Sequence, residues 1–216
     1  MKPVLIAALL LAAALVITGG FLLDAPVEKA VREANGGRWS HDRLAADVSR
    51  YGDWPELMLA GGLGYLLARR VGSVKWQRLL LSAMIASTLA GAVVNVSRLT
   101  TGRTRPRAEA AQGWYGPRHD GSWLIGRADF NSFPSGHTAT AVGFAGVLLF
   151  GAPAWGALAA LAAMGIALSR VLLGAHHPSD VLTAAVLSLA VAWAVWEFLG
   201  KRGRVGFEKK GLGDRD

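Results

Sequence analysis

Residues 169–180 read Ser-Arg-Val-Leu-Leu-Gly-Ala-His-His-Pro-Ser-Asp and stand between two long apolar runs. An arginine, two histidines and an aspartate are costly there if they face lipid, at roughly 2.5–3.5 kcal/mol per charged group near the centre of a membrane helix. Such a cluster marks a site or a membrane boundary, and here it reads as both. Pro178 suits the first turn of a new helix, where its missing N–H costs nothing. Asp180 falls in that turn, within reach of His176 just outside it. A carboxylate that orients an imidazole, beside a fixed guanidinium, is equipment for nucleophilic or acid–base chemistry on an anion.

Two more polar clusters precede it. Arg98, Gly102, Arg103, Arg105 and Pro106 supply guanidiniums that can take phosphate oxygens bidentately. Alone, this cluster reads as a basic juxtamembrane loop touching lipid headgroups. Phe133-Pro134-Ser135-Gly136-His137-Thr138 lies where a polar loop meets an apolar run. Ser135 is a good N-cap, and Gly136 lets the backbone approach a ligand closely. The first free N–H groups of that helix would point at an anion, with His137 beside it to carry a proton. Three of the chain's five histidines, His137, His176 and His177, fall in these clusters.

The elements that must position these groups are apolar and long. The chain has 216 residues, 52% hydrophobic and only 18% charged, against about 25% charged for an average soluble domain. The net charge of +8 is scattered over loops and tail with no aromatic-interleaved patch, which argues against nucleic acid and for anionic headgroups and loop topology. No cysteine is present, so thiol chemistry and disulfides contribute nothing. Residues 3–23 run 21 positions without a charge. That spans a hydrocarbon core of about 30 Å, and the stretch reads as a retained helix over a cleaved leader. Further spans are expected at 57–68, 79–96, 138–150, 154–168 and 181–199, the first of these reaching full length only if Tyr51 and Trp54 lie at the interface. A short surface helix is expected at 27–34. The 100–133 stretch reads as a long polar loop, and a loop of that length is functional or disordered.

Six spans make an all-α integral membrane bundle over residues 1–200, followed by a charged, flexible cytoplasmic tail at 201–216. Lys2, the group Arg69, Arg70, Lys75 and Arg78, and the tail cations then share one side, which the positive-inside rule makes cytoplasmic. The 98–137 and 169–180 regions land together on the opposite, non-cytoplasmic face, where separate polar clusters can form one active site.

Together the clusters resemble the signature of the type 2 phosphatidic acid phosphatase superfamily. That signature is a basic residue, six residues, then Arg-Pro; next Pro-Ser-Gly-His; then Ser-Arg, five residues, His, three residues, Asp. Here it appears as Arg98 with Arg105-Pro106, Pro134-Ser135-Gly136-His137, and Ser169-Arg170 with His176 and Asp180, across 83 of the 216 residues. One departure is Arg98, where lysine is usual; the charge stays, but a fork replaces a compact ammonium.

The resemblance implies the roles. His176 is the nucleophile that forms a phosphohistidine. Asp180 holds its other ring nitrogen. His137 protonates the leaving oxygen and then activates water. Arg98, Arg105, Ser135, Gly136 and Arg170 hold the phosphate oxygens. It also implies metal independence and no cofactor, and no carboxylate cluster suited to Mg²⁺ is visible. His177 matches no catalytic position; it lines the pocket or sits at the interface, and the second is favoured. His119, Asp120 and Asp129 read as solvated loop residues, and Asn95 as a helix–helix hydrogen bond.

The substrate expected is a lipid phosphate or diphosphate at the outer face of a bacterial plasma membrane, with the tail entering between helices from the bilayer. Undecaprenyl pyrophosphate, phosphatidylglycerophosphate, phosphatidic acid and lipid A phosphates all fit, with the first, or a broad specificity, favoured. A lipid phosphotransferase would carry identical motifs. A vanadium haloperoxidase shares them but lacks such spans. A binding or transport protein would not need His176, Asp180 and His137 together.

Overall fold

The computed structural model describes residues 3–40 and 42–200. Seven α-helices make up most of them: α1 (Pro3–Ala34), α2 (Arg43–Tyr51), α3 (Trp54–Arg70), α4 (Val74–Thr101), α5 (Gly136–Gly151), α6 (Pro153–Leu172) and α7 (Pro178–Val195), the last continued by a π turn at Trp196–Gly200. Between α4 and α5 lie a two-stranded antiparallel hairpin, β1 (Arg118–His119) with β2 (Ser122–Trp123), and a 3₁₀ turn at Ala128–Phe130. Lys2 and the basic tail, on which the expected orientation partly rests, lie outside the described residues.

Each of the six apolar stretches lies within a helix. Four are long and apolar enough to cross a membrane: Pro3–Ala34, Val74–Thr101, Pro153–Leu172 and Pro178–Leu199. The helix α3 has 17 residues and α5 has 16. At 1.5 Å per residue these reach about 24–26 Å, short of a core of about 30 Å.

Several boundaries differ from expectation, each for a local reason. α3 starts at Trp54 because Asp53 caps it, its Oδ1 accepting from the Trp54 N–H at 2.8 Å. Arg69 and Arg70 close the same helix, where cations suit the carbonyl end. α1 runs on through Pro26 to Ala34 in place of a separate short helix at 27–34. Pro26 forfeits one backbone hydrogen bond. The extension is anchored by buried Val31 and carries Arg32–Glu28 and Lys29–Glu33 pairs at 3.7 and 3.8 Å, which are exposed and contribute little. The helix α2 was not expected. Asp42 caps it through Leu44 N at 2.9 Å, and it buries Ala45 and Ser49, packing on α6.

α5 is the central helix, packing on α4, α6 and α7, while α3 lies on α4 and α1 lies chiefly along α7. The core between α4, α5 and α7 is built from Leu79, Ala83, Ala86, Val147, Leu148 and Ala192. A second cluster of Ala90, Val94, Ala139 and Ala184 lies nearer the site. Small residues let the backbones approach, which matters in a bilayer, where apolar burial does not drive helices together. At Gly143 an added Cβ would lie 2.9 Å from the Ala86 carbonyl oxygen and 3.0 Å from Ala90 Cβ. The large side chains point outward instead, such as Leu10, Leu11 and Leu15 on α1 and Leu158, Leu161 and Leu168 on α6.

Thr100 and Thr101 end α4, and the rest of the 100–133 stretch folds over the helix ends. Thr104, Leu124 and Ser132 are buried in it. Backbone bonds from Thr104 N to Gly113 O, at 3.1 Å, and from Leu124 N to Pro117 O, at 2.9 Å, close its turns.

Gly143→Leu is expected to cost about 1–3 kcal/mol by overpacking the α4–α5 contact. Gly62→Leu, where nothing lies within 4 Å, serves as the control. Unfolding midpoints of the two variants in the same detergent check this.

Candidate active site

The three polar clusters converge where α4 ends and α5 and α7 begin. His177 is the N-cap of α7, and Pro178 opens that helix as expected. Asp180 lies in its first turn and is fully buried. Ser135 N-caps α5 with extended backbone, and its N–H donates to the Asp180 carbonyl at 3.1 Å, joining the two helix starts. Gly136 sits against Arg98: a Cβ there would lie 2.9 Å from Arg98 Nη1. The loop before α7 turns at Gly174, whose φ of +61° suits glycine. The turn is held from two sides. Arg107 N donates to Gly174 O at 3.0 Å, and Trp39 packs so closely that a Cβ would meet its Cδ2 at 2.3 Å.

His176 is buried, and its Nδ1 is 2.7 Å from the Ser132 carbonyl oxygen. A carbonyl only accepts, so Nδ1 carries the proton and the neutral ring keeps its lone pair on Nε2. Nε2 makes no hydrogen bond among the described residues. Asp180 Oδ2 is 3.7 Å from Nδ1, beyond hydrogen-bond range. The group on the second ring nitrogen is thus the Ser132 carbonyl, while Asp180 faces the ring through space. Its oxygens are engaged elsewhere: Oδ2 accepts from Ser132 Oγ at 2.5 Å and His177 N at 2.8 Å, and Oδ1 accepts from Arg103 Nη1 at 2.5 Å.

Arg103 is the hub of this region. Besides Asp180, Nη1 donates to Ser179 Oγ at 2.7 Å, and Nη2 donates to Asp24 Oδ2 at 2.6 Å. Phe21, Trp114 and Phe133 surround the guanidinium, with ring centroids 5.4, 4.7 and 5.9 Å from Cζ. Asp24, from α1, also accepts from Ser179 N at 2.9 Å and so satisfies an otherwise free donor of the first turn of α7. Asp24 and Ser132 were not singled out from the sequence. A carboxylate just past an uncharged run is a usable signal for Asp24; nothing in the sequence marks Ser132.

Arg98, Arg105 and Arg170 make no salt bridge among the described residues. Arg98 Nε donates to Asn131 O at 3.1 Å and Nη1 to Asn95 Oδ1 at 3.2 Å, so Asn95 serves its own helix, not a neighbouring one. Arg170 Nη1 donates to Ser49 Oγ at 2.5 Å. The Nε atoms of Arg105 and Arg170 are buried without a hydrogen-bond partner among the described residues. Buried donors of this kind call for an acceptor. Burial, with Arg98, Arg170 and Arg107 nearby, lowers Arg105 to about 10, so it remains charged at neutral pH. Burial also lowers His176 to about 4, opposed by Asp180 and reinforced by Arg170 and Arg105.

His137 lies in the first turn of α5, with Nε2 3.6 Å from Asp53 Oδ2. His177 is not interfacial: it is buried, with Nε2 3.2 Å from the Thr104 carbonyl oxygen. Burial and then Arg103 lower its pKa. His119 and Asp120 pair at 3.2 Å on the exposed hairpin.

The sequence pattern of the PAP2 superfamily matches residues 78–204. The lipid A 1-phosphatase of Rhizobium etli is 31% identical over 175 residues, covering 74% of this chain and 70% of that protein. The lipid A 1-phosphatase of Rhizobium johnstonii is 32% identical over 133 residues, 58% of this chain and 52% of its own length. That of Porphyromonas gingivalis is 31% identical over 136 residues, 60% of this chain and 25% of its own length. The chain belongs to the PAP2 superfamily and is a phosphatase of it, a hydrolase in a membrane-helix scaffold. Among solved structures, the transmembrane PAP2-type phosphatidylglycerolphosphate phosphatase of Bacillus subtilis aligns with a TM-score of 0.53 at 18% identity, covering 89% of this chain and 94% of that one. LpxE of Aquifex aeolicus aligns with a TM-score of 0.53 at 22% identity, covering 78% and 93%. At these identities the likeness is one of fold.

Arg103→Met leaves the buried Asp180 and the partly buried Asp24 without their cation and is expected to cost about 3–5 kcal/mol. Asp24→Asn should cost less, because the amide oxygen still accepts from Ser179. Unfolding in mixed micelles ranks the two. Native His176 binds a proton more weakly than the unfolded chain, whose histidines titrate near 6.5. Stability should therefore fall as pH drops from about 6.5 towards 4. A ring-nitrogen NMR titration should show, among the signals still neutral at pH 5.5, one that is lost in His176→Asn.

Proposed function

We propose that this protein is a metal-independent phosphatase of a membrane lipid phosphate, working through a phosphohistidine at His176. The observation that carries the reading is the fixed tautomer of His176, with Nδ1 on the Ser132 carbonyl, among the guanidiniums of Arg98, Arg105 and Arg170. Nε2 attacks phosphorus as the bond to the leaving oxygen breaks, and His137 gives that oxygen its proton. His137 then takes a proton from water, which attacks the phosphohistidine and releases phosphate and free imidazole. The imidazolium formed in between is stabilised by Asp180 through space. The three arginines, with the Ser135 hydroxyl and Gly136 N–H, neutralise charge on the equatorial oxygens.

The curated relatives favour a lipid A-type phosphate over the undecaprenyl pyrophosphate preferred from sequence alone, since all three are lipid A 1-phosphatases. Six membrane crossings are the topology of this reading. The bilayer thins or the ends tilt at α3 and α5 to accommodate their length. Both termini are cytoplasmic, and the site faces the periplasm or cell exterior.

Purified protein in detergent and EDTA is expected to release phosphate from lipid A 1-phosphate. His176→Ala should lose at least about 10³-fold in kcat, and His137→Ala about 10²–10⁴-fold. Acid-labile ³²P should be trapped on the wild type and not on His176→Ala. Phosphate appearing on a second lipid, with none free, would make the enzyme a transferase; full activity in His176→Ala would overturn the mechanism.

A further inference from the structure

Beside His137 a groove of about 480 Å³ runs between the start of α3, the middle of α4 and the first turns of α5. Arg98, Gly136, Trp54, Thr88 and Thr140 are among the residues that line it. The volume is that of a small-ligand site. Trp54 is held as one wall by its indole N–H, which donates to Thr88 Oγ1 at 3.0 Å.

We infer that this groove receives the leaving group, that the leaving group is an uncharged alcohol, and that Asp53 selects against one that is itself an anion, such as a second phosphate. The inference rests on the reading of His137 as proton donor. The leaving oxygen must come to His137 Nε2, and that atom is 3.6 Å from Asp53 Oδ2. Any group attached to that oxygen therefore passes the Asp53 carboxylate.

Asp53 has a structural duty, capping α3, but only Oδ1 performs it, accepting from Trp54 N at 2.8 Å. Oδ2 makes no hydrogen bond among the described residues and faces the groove. Among the described residues that line the groove it is the one acid, and Arg98 is the cation. An alcohol with further hydroxyls finds an acceptor in Asp53 and a donor in the Asn95 amide, whose oxygen is already taken by Arg98. A leaving phosphate finds a like charge. Like charges placed across a binding site act on specificity by repelling the wrong partner.

The test compares one lipid in two forms, lipid A 1-phosphate and lipid A 1-diphosphate, whose leaving groups differ in charge. The variant is Asp53→Asn, because asparagine caps a helix as well as aspartate does and removes only the charge. Wild type should favour the monophosphate in kcat/KM, and Asp53→Asn should shift that ratio at least about tenfold towards the diphosphate. Equal loss on both substrates would overturn the inference, since Asp53 would then act through His137. No change in the ratio, or a wild type that prefers the diphosphate, would overturn it as well. Binding of inorganic phosphate against inorganic diphosphate reads the same charge without a lipid, and Asp53→Asn should tighten only the diphosphate. His176→Ala is assayed in parallel. Activity surviving there would sink the histidine mechanism, and a result confined to Asp53→Asn would sink only this inference.

Discussion

The Arg103 guanidinium lies under three aromatic rings and donates to Asp24, Ser179 and Asp180. A buried charge is tolerated only when it is paired and hydrogen-bonded, and here two carboxylates from separate helices meet the need. The consequence is positional. The end of α1's apolar run, the loop after α4 and the start of α7 are tied at one point. From there bonds run outward: Asp180 to Ser132 Oγ, and the Ser132 carbonyl to His176 Nδ1. The orientation of the proposed nucleophile thus depends on a carboxylate in the first helix, across 155 positions of sequence between Asp24 and Ser179.

That knot also divides the charges. Asp24 and Asp180 are taken up by Arg103, which leaves Arg98, Arg105 and Arg170 held by neutral partners such as the Asn131 carbonyl, Asn95 and Ser49. Had the two acids faced these three arginines, most of the cluster's positive charge would be cancelled and it would offer a phosphate little. Kept apart, the guanidiniums set up a positive field in a partly buried place, where charges act more strongly than in water. Two unpaired Nε atoms extend the same arrangement.

The helical scaffold serves this by bringing helix ends together. α5 sits between α4, α6 and α7, and its small residues keep those contacts short. His137 therefore emerges between the cations of α4 and α6 and the loop that carries His176. The candidate site needs little regular structure of its own; it hangs on the ends of packed helices and is stitched by backbone bonds.

Composition and pattern alone determined that the chain is helical and membrane-like. Long uncharged runs permit little else, because an unpaired backbone cannot sit in lipid. Three motifs with fixed spacing determined the phosphatase family and the residues that meet at the site, since each motif sits where an apolar run starts or stops. The sequence was least informative where a helix is short or a boundary depends on a cap. Helix α2 and the start of α3 hang on the single side chains of Asp42 and Asp53. Only the tertiary structure decided what holds the groups of the candidate site. Ser132 carries no local pattern, and the sequence shows Asp24 and Arg103 only as a charge past an apolar run and one basic loop residue among several; that the two pair lies in contacts tens of residues apart. The same holds for the partner of His176. Spacing put Asp180 one turn away, yet the fold gave that ring nitrogen a backbone carbonyl and left the aspartate to a buried arginine.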